Sequence, residues 1–407
     1  MSGLSIAPYF PFERMKITEQ TVHAHAASAL IYLQPDQRYR PQCHVCGGSP
    51  ATIHTHTRRM VRDLDVAQTQ IWLHVDYRKV WCDQCGGVRV EHLSFCDTGK
   101  RVTHRLARYI HELCKRLTIK DVAERFELHP TTVKEIDKSF LEKDFAQTDY
   151  SDLRVLAIDE IAVKKGHTYM TVILEWFTGR VVWMGPGRDQ DALDAFFAGM
   201  TEEQKAHIQA VAMDMWEAYV NRVKHHCPQA KIVFDFFHLV QGFSKVIDKI
   251  RRDEYRRANE QDREVIKGSR YLLLKNAENL TKTQKPHLEQ LLALNATLNT
   301  VYVLKDQLKQ VYYTSDRDKA KAILDDWCHM AETVKHPDMK TFINRLRFFE
   351  DGILNHADYP IDTRRLEGVN NKIKVIKRKA YGYHDTDYFV LKVKQAFPGE
   401  KSTNFFR

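Results

Sequence analysis

The sequence predicts a multidomain chain of mixed class, α+β toward its amino terminus and α/β beyond. Three observations predict it. Two Cys-x-x-Cys pairs, Cys43/Cys46 and Cys82/Cys85, lie in the first quarter of the chain. Residues 104–141 then show helical periodicity. From 152 short apolar strands close on acids, first Val155-Leu156-Ala157-Ile158-Asp159-Glu160 and then Val211-Ala212-Met213-Asp214-Met215, before helical pattern takes over at 241.

Composition bounds the answer before any motif does. At 407 residues the chain is long enough for two to four domains and a sizeable core. A hydrophobic share of 43% makes it globular, not disordered. Against 53 acidic residues stand 62 Lys+Arg, giving +9, a mild bias toward a polyanionic partner. No apolar run reaches membrane-spanning length, and Met1 to Thr21 lack a signal-peptide core, so no membrane association and a cytoplasmic location are expected. In that compartment paired cysteines favour metal over disulfides.

Residues 1–40 carry no strong pattern and read as an amino-terminal arm. Residues 41–97 read as a zinc-binding ribbon. Each cysteine pair is followed by glycine (Gly47-Gly48, Gly86-Gly87), which permits the tight turn that points backbone amides at sulfur. A strand at Ile71–Tyr77 fills the 35-residue gap between the pairs, as in an extended hairpin. Cys43, Cys46, Cys82 and Cys85 are the expected ligands of one structural Zn²⁺, the alternative being redox or incidental cysteines. His44, His54, His56, His92 and Cys96 could replace one ligand, but four thiolates close a site and leave no position for catalysis.

Residues 100–145 read as a helix-turn-helix. Leu106, Ile110, Leu113 and Leu117 mark a first helix, and Thr118-Ile119-Lys120-Asp121 opens a second that turns Val122, Ala123 and Phe126 inward. Pro130 starts a third, which buries Val133, Ile136 and Phe140. Its outward residues Thr131, Thr132, Lys134 and Lys138 are the expected DNA contacts, with Glu135 beside them. A plain three-helix connector would show the same periodicity; the zinc module before it and the basic chain favour DNA.

Residues 150–240 change to strands: 153–158, 169–176 and 179–184 in meander, a helix at 191–200, a strand ending at Asp214, a helix at 215–226 and a fifth strand at 232–235. The order β-β-β-α-β-α-β is the ribonuclease-H-like arrangement, a mixed sheet whose first and fourth strands are neighbours. That adjacency brings Asp159 and Asp214 together. Residues 241–355 read as an all-helical insertion, with 356–407 completing the sheet domain. In the last part Leu366, Val369, Ile373 and Ile376 form an apolar stripe, while Glu367, Asn371, Lys374 and Arg378 share a neighbouring one. Between Arg364 and Lys379 Glu367 is the only acid in a field that includes Lys377 and Arg378. A carboxylate heading a row of amide and basic groups suits a metal at one end and a phosphate backbone along the rest. A merely solvated basic face is the alternative.

The order of these parts resembles the bacterial insertion-sequence transposases with a DDE triad, of the ISL-three type, which join a zinc finger and helix-turn-helix to a ribonuclease-H-like domain. The resemblance rests on the four cysteines, Ile158-Asp159-Glu160, Asp235-Phe236-Phe237-His238, Leu366-Glu367-Gly368-Val369-Asn370-Asn371-Lys372-Ile373-Lys374 and Arg378 to Tyr383, and spans nearly the whole chain from residue 40. It implies Asp159, Asp214 and Glu367 as the catalytic triad, two Mg²⁺ held by those carboxylates, double-stranded DNA as substrate, action as a homodimer or higher on DNA, and a bacterial cytoplasm. Asp235 also ends a strand and competes for the second position; its place after the fifth strand makes it, with His238, a support motif. A transposase-derived regulator without catalysis and a structure-specific nuclease or resolvase are the rival functions.

Overall fold

The computed structural model describes residues 12–399 apart from 24, 26 and 165–167. The chain forms two compact units, Met1–Asp144 and Phe145–Arg407.

In the first unit β1 (Met15–His23), β2 (Ser28–Pro35), β3 (Ile53–Val66), β4 (Thr69–Cys82) and β5 (Gly87–Val90) make one sheet of order β1-β2-β4-β3, with β5 also on β4. Strand alternation puts Ile31, Leu33, Val61, Leu73 and Val75 on one face, where Leu93 and Phe95 cover them. The expected strand at 71–77 is thus the middle of a 14-residue strand in a long hairpin. The first forty residues, read as an arm, supply two strands. β1 left no sequence signal because it is an edge strand with polar residues on both faces, held by its backbone to β2.

Three helices follow, α1 (His104–Cys114), α2 (Ile119–Phe126) and α3 (Pro130–Phe145). The Thr118–Asp121 capping box forms, and Pro130 opens α3. Leu106, Ile110, Val122, Phe126, Val133 and Ile136 close the trio's core. Leu113 is only partly buried and Leu117 lies at the surface. Asp63 of β3 ties the trio to the hairpin: fully buried, it accepts from Thr103 Oγ1 at 2.6 Å and Arg105 Nε at 2.7 Å.

In the second unit β6 (Val155–Lys164), β7 (Thr168–Glu175) and β8 (Val181–Pro186) form the meander. After α4 (Gln190–Phe197) and α5 (Glu202–Ala206) come β9 (Ala210–Met213), α6 (Glu217–His226) and β10 (Lys231–Phe234). The sheet order is β10-β9-β6-β7-β8, parallel across the first three strands and antiparallel beyond. This is the predicted ribonuclease-H-like mixed sheet. Eight α-helices then intervene: α7 (Phe236–Arg257), α8 (Glu260–Ile266), α9 (Arg270–Leu274), α10 (Gln284–Leu294), α11 (Ala296–Tyr313), α12 (Arg317–Glu332), α13 (Pro337–Phe348) and α14 (Glu350–Leu354). The helical insertion therefore starts directly at β10, with Asp235 as the cap of α7. The chain returns through α15 (Arg364–Lys379) and α16 (Thr386–Ala396).

Alternation along the strands splits this unit into two cores. Leu156, Ile158, Val211, Met213, Ile232 and Phe234 face α4, α6 and the insertion. Val155, Ala157, Ala210, Ala212 and Val233 face Leu366, Val369 and Ile373 of α15 and Phe389 and Val393 of α16. Asn355, just after α14, donates to Ile232 O at 2.8 Å and so covers the β10 edge. No helix among the described residues is long and apolar enough to cross a membrane.

Candidate active site and metal centres

Strand register assembles the acids. β6 pairs with β9 through Ala157↔Ala212, and β9 with β10 through Met213↔Phe234. Two steps past the first pair and one past the second, Asp159, Asp214 and Asp235 come level where the parallel pairing of the three strands ends. Ala157, Ala212 and Val233 all lie on the α15 face, and two residues further along each strand the carboxylates take the same side. The sequence placed Asp159 at the end of its strand. In the structure β6 runs on to Lys164, because β7 keeps pairing with it after β9 has stopped. Asp159 is at the end of the parallel ladder and not of the strand.

α15 is pinned over this row at two points. Thr363, at its start, donates to Asp235 Oδ2, and Asn370 Nδ2 donates to Asp159 Oδ2 at 2.7 Å. Glu367 falls four residues after one pin and three before the other, so it shares their side of the helix. It is exposed there, on the first turn. Among the described residues Asp214, Asp235 and His238 form a group of three whose carboxylate and imidazole atoms all lie within 4.8 Å of one another; Asp159 and Glu367 stand outside that group.

The electrostatics follow from crowding acids in a half-buried place. Burial first, then the charges of Asp214 and Asp235, lifts Asp159 to about 6. Burial and the neighbouring Asp159 and Asp214 lift Glu160, on the opposite face beside Tyr219, to about 7. His238 Nδ1 lies against Asp214 and 3.2 Å from Asp235 Oδ2, and these two carboxylates raise it to about 10. Burial alone would raise Asp235 as well, but His238, the Thr363 hydroxyl and the Phe237 N–H outweigh it and hold Asp235 low. The His238 imidazole is thus set between two acids.

The predicted basic contacts divide. Asn371, Lys374 and Arg378 are exposed along α15, whereas Lys377 turns back and donates to Val163 O of β6. On α3 Thr131 is exposed, and Thr132, Lys134 and Lys138 are half-buried. Sequence reasoning passed over Thr363 and Asn370. The signal for Asn370 was present: an amide four residues after Leu366 and three before Ile373 belongs to the docking stripe, where a polar group needs a partner.

In the first unit the four predicted cysteines meet. Cys43 and Cys85 Sγ are 3.9 Å apart, Cys46 and Cys82 Sγ 3.6 Å, and all four lie within 4.8 Å of one another. Tetrahedral zinc with Zn–S near 2.3 Å requires S···S of ~3.8 Å, so this set fits Zn²⁺. Gly47 and Gly86 take the left-handed conformation that tightens each turn (φ 71° and 63°). Burial opposes ionisation of Cys43, but the N–H groups of Cys46 and Val45 prevail and pull its thiol down to about 6. This is the four-cysteine cluster of a zinc ribbon.

Parallel-paired strands that bring carboxylates level beneath a pinned basic helix, preceded by a zinc ribbon and a helix-turn-helix, define a chain of the ribonuclease-H-like class. Comparison with known proteins makes this specific. Residues 156–393 match a transposase family model of the ISL3 type, 91–141 the helix-turn-helix domain of transposase family ISL3, and 40–85 the zinc finger of the IS204/IS1001/IS1096/IS1165 transposases. The chain is 41% identical over 372 residues to the transposase for insertion sequence element IS1001 of Bordetella parapertussis, covering 91% of each. It is 28% identical over 280 residues, 62% of each chain, to the transposase for IS1557 of Mycobacterium tuberculosis. The chain belongs to the ISL3 family of insertion-sequence transposases.

Proposed function

We propose that the chain is a DNA transposase that binds the terminal inverted repeats of its element and catalyses Mg²⁺-dependent strand cleavage and strand transfer. Asp159, Asp214 and Glu367 are its triad. The observation that carries this reading is the level placement of Asp159 and Asp214 on adjacent parallel strands, under a helix pinned on either side of Glu367. The donor set fits: carboxylate oxygens are hard ligands for a hard cation. When bound, two Mg²⁺ supply Lewis-acid stabilisation of the entering and leaving oxygens at phosphorus.

The chain's own residues do the rest. Asp214 is the better second acid because Asp235 is already committed: its Oδ1 accepts the Phe237 N–H at 3.1 Å and its Oδ2 the Thr363 hydroxyl. Asp235 and His238 therefore support Asp214 by fixing its place and offsetting its charge. The exposed Asn371, Lys374 and Arg378 hold the phosphates of the cut end. The zinc module (41–97) and the helix-turn-helix (100–145) find the element ends, with Thr131, Thr132, Lys134 and Lys138 toward DNA. The catalytic domain takes 150–240 and 356–407, split by the helical insertion at 241–355. Because two ends are joined in one event, the working form is a homodimer or larger assembly on DNA.

Asp159→Ala and Glu367→Ala are each expected to lose cleavage of end-containing DNA while keeping end binding in a gel-shift assay. A variant that still cuts removes its residue from the triad. Cleavage without joined products would make the chain a nuclease or resolvase, and native protein that binds ends but never nicks them would make it a regulator.

A further inference from the structure

Asn370 holds more than its contact with Asp159. It is 7% exposed, and while Nδ2 donates to Asp159, its Oδ1 is buried and meets no donor among the described residues. The amide cannot be turned over to cure this, because that would set its carbonyl oxygen against a carboxylate. A buried acceptor with no donor is rare in folded proteins and marks a place reserved for a water, an ion or a ligand.

The surroundings decide which. Leu366, Val369 and Ile373, the neighbours of Asn370 on the docking stripe, offer no side-chain donor. The polar groups gathered beside Asp159 are further carboxylates, those of Asp214 and Asp235. The imidazole of His238 lies against those two acids. An orphaned buried acceptor on an amide that already holds one of these neighbouring carboxylates is satisfied by a cation with its water shell.

We propose that Asn370 is a positioning residue of the divalent-cation site at Asp159: Nδ2 fixes the carboxylate, and Oδ1 completes the cation's oxygen shell directly or through one of its waters. The inference rests on the metal-dependent reading above. It adds a residue outside the triad to the cation site and gives the orphaned oxygen a task. Groups that orient a ligating carboxylate commonly change metal affinity by roughly 10–100-fold when removed.

The test is a Mn²⁺ titration of the full chain without DNA, followed by loss of the free-ion electron paramagnetic resonance signal. Asp159→Asn marks the background. Asn370→Leu keeps the volume and removes both donor and orphan acceptor. It is expected to weaken Mn²⁺ binding at least about tenfold, while the melting temperature without added Mn²⁺ does not fall. Asn370→Asp, which keeps an oxygen toward the same space, is expected to bind Mn²⁺ more tightly than Asn370→Leu. End cleavage by Asn370→Leu should return as Mn²⁺ is raised, whereas that of Asp159→Asn should not.

Native Mn²⁺ affinity in Asn370→Leu overturns the proposal and leaves the triad standing. So does affinity lost only together with the fold, which would make the residue structural; Asn370→Ala repeats the measurement if the Leu variant does not fold. Native protein that binds Mn²⁺ no better than Asp159→Asn overturns the underlying catalytic reading itself.

Discussion

Thr363 starts the helix that carries Glu367 yet does not cap it. Its side chain makes no bond to the α15 backbone and donates instead to Asp235, deep in the site. A threonine cap contributes about 0.5–2 kcal/mol, and a hydrogen bond to a charged group about 1.5–3 kcal/mol, so the ionic contact wins the hydroxyl. Thr363→Val keeps the shape and removes the donor. The expected result is a stability loss of about 1–3 kcal/mol in denaturant unfolding, with reduced end cleavage and unchanged end binding. Thr363→Ser should restore both, and an unaffected Val variant would show that the pin does not matter. Asp159 and Asp214 stood out in the sequence because each follows a short apolar run, although β6 continues past Asp159. Thr363 and Asn370 did not, because their partners lie 128 and 211 residues away and each looks ordinary in its own segment.

Elements were legible where local chemistry alone determines them. The capping box at Thr118, Pro130 at the head of α3, the cysteine turns and the apolar strands all form as their residues dictate. Elements determined by a partner were not. β1 exists through backbone pairing to β2, and the continuation of β6 past Asp159 exists through β7. The joint between hairpin and helix trio was also hidden. Asp63 is fully buried and bonds Thr103, the cap residue of α1, as well as Arg105 within that helix, while buried Arg62 of β3 reaches Asp65 at 2.5 Å. Removing one partner of a buried ionic network leaves charge without compensation, which costs about 3–5 kcal/mol. Asp63→Ala is therefore expected to cost on the order of 3 kcal/mol, since Arg105 is partly exposed and can turn to water. Urea unfolding of the variant checks it, read by a probe in the first unit. A loss below about 1 kcal/mol, the range of an exposed ion pair, would mean that this network does not hold the helices to the hairpin.

At the scale of the whole molecule, each unit owns its cores: two in Met1–Asp144 and two, one on either face of the sheet, in Phe145–Arg407. The first unit is the smaller. Cys43 and Cys46 come from the chain before the long hairpin and Cys82 and Cys85 from its far end, so the thiolates close the sheet where β4 passes to β5. Metal affinity at such a site is folding free energy, because the unfolded chain has no preformed ligand set. Stripping zinc with a chelator, or replacing Cys46 by Ser, is expected to lower or abolish a thermal transition belonging to the first unit. The transition of the second unit should stay where it was. The variant should also lose end-specific DNA binding while the Mn²⁺ binding proposed for the Asp159 site is unchanged. Scanning calorimetry with and without chelator, paired with limited proteolysis to assign each transition, makes the measurement. No change on chelation would mean the four thiolates hold no metal. A single transition that moves as one would mean that the zinc ribbon stabilises the catalytic sheet as well as its own, and that the two units unfold together.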